Sequence, residues 1–310
     1  MIATITLNPA LDKTVYVRNL TIGDTNRIEK VEIDAGGKGV NASRMLAEMG
    51  VETIALGFVG GKTGRFIENL LEEDGIKTDF VHTKAETRTN IGIQDLSGLP
   101  PTALNERGGP ITTEELAQLK ELIGFWMNVT KIAIIAGSIP EGVEPTIYRD
   151  LVKVARDAGV QTILDADNEP LRYGLEAHPT VIKPNVDEAE RLLGKSLTTL
   201  DEIANAAKEL ASSAVDIAVI SMGKNGAVAA TQNEVWHAVP PDVVTISTVG
   251  SGDSMVAGIA LGLADEGNIA KGLTLGCAAG AATAMSSGVD MGKREDVERL
   301  LPEVKLTRIG

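Results

Sequence analysis

One cysteine, Cys277, is too few for a disulfide framework or a cysteine-based zinc site. Aromatic residues are nearly as scarce: four Phe, three Tyr and two Trp in 310 residues. A stacking platform for bases or bare sugars is hard to build from so few. The three histidines, His82, His178 and His237, lack metal-ligand spacing and read, with Cys277, as structural. Positive charge is short as well. Lys and Arg number 29 against 43 Asp and Glu, a net charge of −14, and no basic run occurs. That balance excludes broad electrostatic binding to nucleic acid or to an anionic membrane. Long hydrophobic runs are missing too. The longest uncharged stretch, 272–292 broken only by Asp290, is mostly Gly, Ala, Ser and Thr. It reads as a tightly packed buried helix, too weakly apolar for a membrane span. The opening Met1–Leu7 is strand-like, with no basic n-region and no cleavage motif, so a cytoplasmic protein is expected.

What is present is a regular alternation. Strand-like runs at 2–7, 53–58, 131–135, 161–164, 180–183 and 217–221 are separated by helical patterns with glycine stops. Ala42, Met45, Leu46 and Met49 share one helix face before Gly50, and Ile203, Ala206, Ala207 and Leu210 repeat the spacing. Such alternation predicts a mostly parallel sheet covered by helices on both faces, with ligands beyond the carboxyl ends of its strands. Two segments interrupt it, at about 12–35 and 88–107. Each carries strand-like pieces without a helix, so they are expected to meet as a small β-sheet lid on one α/β domain spanning 1–310. A hairpin is expected to turn at Gln232-Asn233.

Four groups of residues carry chemistry. Gly250-Ser251-Gly252-Asp253 opens the apolar helix 255–264. Free N–H groups and the positive dipole end suit an anion there, while Asp253 alone would also serve as a cap. A carboxylate at a helix N-terminus is expected to have a low pKa. Gly36-Gly37-Lys38-Gly39-Val40-Asn41 opens another helix, and Lys38 could hold a phosphate or simply be exposed. It is no P-loop, because neither Ser nor Thr follows the lysine, and Gly57–Thr63 misses that pattern by one glycine. Lys183-Pro184-Asn185, with Glu188 three residues after Asn185, suits either a magnesium-bound water or a capping box. Asp165-Ala166-Asp167 would support the same ion or form a turn. Arg88, in Thr87-Arg88-Thr89-Asn90, and Ser138, in Gly137-Ser138-Ile139-Pro140, are suitable donors to a substrate phosphate. Ser221-Met222-Gly223-Lys224-Asn225-Gly226 is a small-residue loop suited to a nucleotide or to a plain hairpin entry.

In this order and spacing the motifs resemble the ribokinase-like (PfkB-type) carbohydrate kinases, over essentially the whole chain. The two glycine motifs, about 210 residues apart, are that family's signatures. Thr6-Leu7-Asn8-Pro9-Ala10-Leu11-Asp12, Thr87-Arg88-Thr89-Asn90 and Ser247–Ser254 are most similar to its hexose-phosphate branch. The resemblance implies a ribokinase-like three-layer α/β/α fold with a small β-sheet lid. It also implies ATP-dependent phosphorylation of fructose 1-phosphate to fructose 1,6-bisphosphate, with fructose 6-phosphate or tagatose 6-phosphate as alternative acceptors. Asp253 then matches the general base, and Gly250, Ser251 and Gly252 the anion hole. Asp12, Gly37, Lys38 and Asn41 match sugar-side positions, and Arg88, Ser138 and Arg27 would hold the acceptor's phosphate. Lys183, Asn185, Ser221, Gly223 and Gly226 fall on the ATP side, with Asn185 and Glu188 organising Mg²⁺. Lys62 stands where many members have Asp. A homodimer through the lid follows by the same analogy. A non-catalytic nucleotide or sugar-phosphate sensor on this fold needs neither base nor metal geometry, and a dehydrogenase would need a G-x-G-x-x-G turn that is missing.

Overall fold

The computed structural model describes residues 1–310 except Glu266 and Val289. Fourteen strands form among the described residues: β1 (Ile2–Thr6), β2 (Ala10–Val17), β3 (Ile28–Gly36), β4 (Thr53–Gly60), β5 (Lys77–Thr83), β6 (Arg88–Asp95), β7 (Thr102–Asn105), β8 (Ile132–Ala136), β9 (Gln161–Asp165), β10 (Val181–Ile182), β11 (Ile217–Ser221), β12 (Ala227–Ala230), β13 (Val235–Val239) and β14 (Lys305–Arg308). The helices are α1 (Lys38–Glu48), α2 (Gly61–Glu73), α3 (Thr113–Met127), α4 (Ile147–Asp157), α5 (Asn168–Leu175), α6 (Val186–Leu193), α7 (Leu200–Ser213), α8 (Ser251–Ala264), α9 (Ile269–Ala284) and α10 (Arg294–Leu300).

Ten strands make one sheet in the order β14-β13-β12-β11-β10-β9-β8-β1-β4-β5. From β11 to β5 all neighbours are parallel, and β12, β13 and β14 add an antiparallel edge. Burial on both faces explains the unbroken apolar strands. Ile132 and Ile134 enter the core with α1, α8, α9 and α10, whereas Ala133 and Ile135 enter the core with α3, α4 and α7. The result is three layers, helix on sheet on helix. Between α8 and α9 the backbones nearly touch, since a Cβ on Gly258 would stand 2.3 Å from the Gly276 nitrogen. The small-residue stretch therefore does pack as a buried helix, but it ends at Ala284. The rest of 272–292 is not helical, and Val289 lies outside the described residues.

The other four strands pair in a separate sheet, β3-β2-β6-β7. Both β2 and β3 run longer than the sequence suggests. Register places Asp12, Asp34, Asn90 and Asn105 in one row, with Lys13, Ile33, Ile91 and Leu104 in the next. Side chains alternate across a strand, so the two rows project from opposite faces, and the pairing of Asp34 with Arg44 of α1 turns the first row toward the helices of the large sheet. The hairpin between β12 and β13 forms where the Gln232-Asn233 turn is expected. No described helix is long and apolar enough to cross a membrane.

Candidate active site

Asp165 ends β9 beneath the carboxyl edge of the large sheet and is 1% exposed. An unpaired carboxylate at that depth would be costly, and two lysines meet it. The Lys38 Nζ, on the first residue of α1, donates to Oδ1 at 2.9 Å, and the Lys183 Nζ, just beyond β10, stands 3.4 Å from Oδ2. Burial pulls against the charged Asp165, but Lys183 and Lys38 outweigh it and hold its pKa below the ordinary value. For Lys38, burial is likewise overcome by Asp165 and Glu188, so its pKa lies above the usual lysine range. The Glu188 Oε1 is 4.0 Å from the same ammonium.

Beside this cluster α8 begins. Gly250 caps it with φ of 77°, a left-handed conformation that favours glycine, and a Cβ there would stand 2.7 Å from the Met291 Cε. Asp253 lies in the first turn and is buried, and the Asn41 amide donates to its Oδ2 at 2.7 Å. Its pKa is pushed up to about 7, first by burial and then by the Asp165 charge, against the opposing pull of Asn41, Lys38 and Lys183. The low pKa expected from the helix end is therefore wrong. Lys183 borders the glycine turn, because a Cβ on Gly252 would be 3.5 Å from its Nζ.

Two cavities meet here. One of about 390 Å³ is lined by Asn185, Ser221, Gly223, Ser251 and Gly252 and closed by Met255 and Cys277, so Cys277 is more than filler. The other, about 470 Å³, opens between the small sheet and the loop before α8, lined by Asp12, Asn90, Asn105, Thr245, Thr248 and Val249. Thr245 and Thr248 line both. The Ser251 Oγ and the Asn90 and Asn41 Oδ1 atoms are buried without a hydrogen-bond partner in the protein, which leaves acceptor capacity at the site. Asp12 accepts from the Asn90 amide at 2.8 Å, and burial raises its pKa against the opposing effects of Asn90 and Arg88.

The remaining candidates fall differently. Asn185 and Glu188 form a true capping box on α6: each side chain accepts from the other's backbone N–H at 2.8 Å. Gly226 turns the chain into β12 against Ala238 and does not line the cavity. Gly37 caps α1 beside Thr6 and Pro9. The three guanidinium nitrogens of Arg88 donate to the carbonyls of Asn8, Pro9 and Glu106, at the two crossings between the sheets. Ser138 accepts from the Asn8 amide at 3.2 Å. Arg27 is exposed just before β3, beyond the Val17–Ile28 pair. That is five residues along β2 from Asp12, about 16 Å at the rise of a strand, so it is not brought to the others. Lys62 sits in the first turn of α2, whose amides are taken by Glu86. Sequence reasoning underrated Asp165, although an acid closing an apolar strand was a signal, and missed Thr245, which carries none.

A buried carboxylate with a near-neutral pKa at a glycine-capped helix start, two lysines near it and two cavities that adjoin at Thr245 and Thr248 define an α/β phosphotransferase site. The model of the pfkB family carbohydrate kinases matches residues 5–295, and the chain belongs to that family. It is 34% identical to the 1-phosphofructokinase of Bacillus subtilis over 309 residues, the full length of both. It is 36% identical to a tagatose-6-phosphate kinase of Staphylococcus epidermidis, covering 85% of each chain. A structure of phosphofructokinase-2 from Escherichia coli, solved with substrates and products, superposes with a TM-score of 0.93 at 29% identity, covering 97% of this chain and 98% of that one. The ribokinase of Arabidopsis thaliana shares the fold, with a TM-score of 0.76 at 20% identity over 97% and 98% of the two chains. The protein is a carbohydrate kinase with a ribokinase-like fold.

Proposed function

We propose that the chain transfers the γ-phosphoryl group of ATP to fructose 1-phosphate, giving fructose 1,6-bisphosphate and ADP. The observation that carries this reading is Asp253, a base with a pKa of about 7 in the first turn of α8, directly after Gly252, which lines the cavity of about 390 Å³. A base is most useful when its pKa lies near the working pH. In the reaction, the acceptor hydroxyl oxygen bonds to the γ-phosphorus as the bond to the β–γ bridging oxygen breaks. Asp253 takes the hydroxyl proton, and ADP leaves with the bridging electrons. The Gly250–Gly252 amides and the start of α8 stabilise the transferring oxygens, with Lys183 beside them. ATP occupies the cavity of Asn185, Ser221 and Gly223. The sugar lies against Asp12, Gly37, Lys38 and Asn41, under a lid formed by the small sheet of a single domain. Arg88 keeps one N–H on each terminal nitrogen for the acceptor's phosphate, and Ser138 lies nearby.

Among the described residues no three His, Cys, Asp or Glu side chains gather as a metal site. The residues fit a Mg²⁺ held by the nucleotide's phosphates through its waters, with the Glu188 Oε1, which the capping box leaves unused, as the nearest acid on α6. Bound there, the ion would neutralise charge on the phosphates. We also infer a homodimer through the lid: Ile33, Ile91 and Leu104 are 40%, 36% and 54% exposed on its outward face.

The test is acceptor-dependent ADP release with ATP and Mg²⁺, offering fructose 1-phosphate, fructose 6-phosphate, tagatose 6-phosphate, ribose and adenosine. Fructose 1-phosphate should give the highest kcat/KM. Release with none of the five overturns the reading, and a preference for ribose or adenosine removes Arg88 from phosphate binding. The tagatose-6-phosphate kinase relative makes tagatose 6-phosphate the second choice.

A further inference from the structure

Resting on the kinase reading above, we propose that Asp165 is a positioning residue for phosphoryl transfer, a buried carboxylate that fixes Lys38 and Lys183 as one cationic pair. The argument starts from charge. One lysine would neutralise Asp165, yet two ammoniums from separate elements converge on its two oxygens, at 2.9 and 3.4 Å. Lys183 is itself only 5% exposed, so it has no water to fall back on. The second cation is balanced by Glu188, 4.0 Å from Lys38, so the cluster carries no net charge until a phosphate arrives at the glycine turn that Lys183 borders.

Lys183, two residues before the Asn185 cap of α6, borders that turn, and Lys38 begins α1, which also carries Asn41 against Asp253. Without a shared carboxylate the two ammoniums would repel each other and move apart. Fixing both beforehand avoids reorganisation when the phosphate is transferred. A displacement of about 1 Å at such a site is worth about 10²-fold in rate.

The test is Asp165→Asn, which keeps the shape and removes the charge. Because both ammoniums lose their shared anchor, kcat should fall by about 10²-fold and the KM for both substrates should rise. The acid limb of the kcat–pH profile should also move to lower pH. The charged groups facing Asp253 are Asp165 on β9, Lys38 on α1 and Lys183 after β10, and removal of the one anion favours ionised Asp253. The limb reports the Asp165 charge itself, whereas the rise in both KM values reports the two lysines, and an Asp165 that does not position them would leave those KM values unchanged. Wild-type kcat and KM values overturn the proposal.

Should Asp165→Asn fail to fold, Lys38→Met, Lys183→Met and the double variant decide the matter. Losses in kcat/KM that fall short of multiplicative by tenfold or more mark a coupled pair, and multiplicative losses overturn it. The wild-type control separates this proposal from the function it rests on. No turnover by the wild type defeats both, whereas wild-type turnover with an unaffected Asp165→Asn defeats the positioning role alone.

Discussion

Asp253→Asn should make the protein more stable as it makes it inactive. The Asp253 pKa moves from the ordinary 3.8 to about 7 on folding, because burial disfavours the charged form. About three units at 1.36 kcal/mol each amount to roughly 4 kcal/mol of destabilisation whenever the carboxylate is ionised in the folded state. Asparagine has no charge to desolvate. Its cost is one reversed hydrogen bond, since the Asn41 amide donates to the position that becomes an NH₂. The Asn41 Oδ1 has no partner, so a flip of that amide restores the bond. The net gain expected is ~3 kcal/mol, which raises Tm by roughly 5 °C in a chain of this size.

The gain has a defined pH window. Below about pH 4 the carboxyl is neutral folded or unfolded, and this group contributes no difference between the two proteins. From there to about pH 7 the unfolded chain ionises while the folded one stays protonated, so wild type loses stability relative to the variant. Above pH 7 the difference is constant. Thermal melting of both proteins from pH 4 to 9 reads the difference directly, with kcat measured on the same samples and expected to fall by ~10²-fold or more. A variant no more stable than wild type at pH 8, or a difference that does not shrink toward pH 4, refutes the burial argument.

For the wild type, kcat should fall as pH drops below about 7, because the base must be ionised to accept a proton; a profile flat to pH 5 would contradict this. Gly250→Ala forces a side chain into left-handed backbone and against Met291, so Tm should fall by the equivalent of about 1–2 kcal/mol and kcat with it. Arg88→Ala frees the carbonyls of Asn8, Pro9 and Glu106 and should raise acceptor-independent ATP hydrolysis along with the KM for the sugar phosphate. Leu104→Glu places a charge on the exposed face of the small sheet, and light scattering should then record a monomer, against the dimer proposed for the wild type.

Parts of the structure with a repeating physical cause could be read from the sequence. The parallel strands could be seen because burial on both faces demands unbroken apolar runs such as Ile132–Ala136. Strands without that demand were harder to see. β7, Thr102–Asn105, is exposed throughout and could be placed only within the strand-like 88–107 segment, and β14, Lys305–Arg308, almost as open, was hidden. At the site, the glycine turns stood out because backbone geometry restricts what can replace them. The Arg88 contacts could not be seen, since they run to carbonyls, which every residue has. The capping reading of Asn185 and Glu188 was right as far as it went, because two residues three apart at a helix start satisfy each other wherever they occur.

Asp253 shows where local reasoning about charge breaks down. Its place in the first turn of α8 is a local property, and from it the dipole argument predicts a depressed pKa. A helix end contributes about 0.3–1 kcal/mol to an exposed charge and up to ~2 kcal/mol in a partly buried site. Complete burial can shift a carboxyl upward by as much as 3–5 units, several times that energy. Depth is set by what packs over the turn. Here Asn41 comes from α1, 212 residues away in the chain, and Asp165 from the end of β9. The sign of the shift is therefore a property of the tertiary fold. It also changes the chemistry expected of the site. A depressed carboxylate could accept a proton only late, once the new bond to phosphorus had largely formed. A base with a pKa of about 7 can begin to accept it as the hydroxyl attacks.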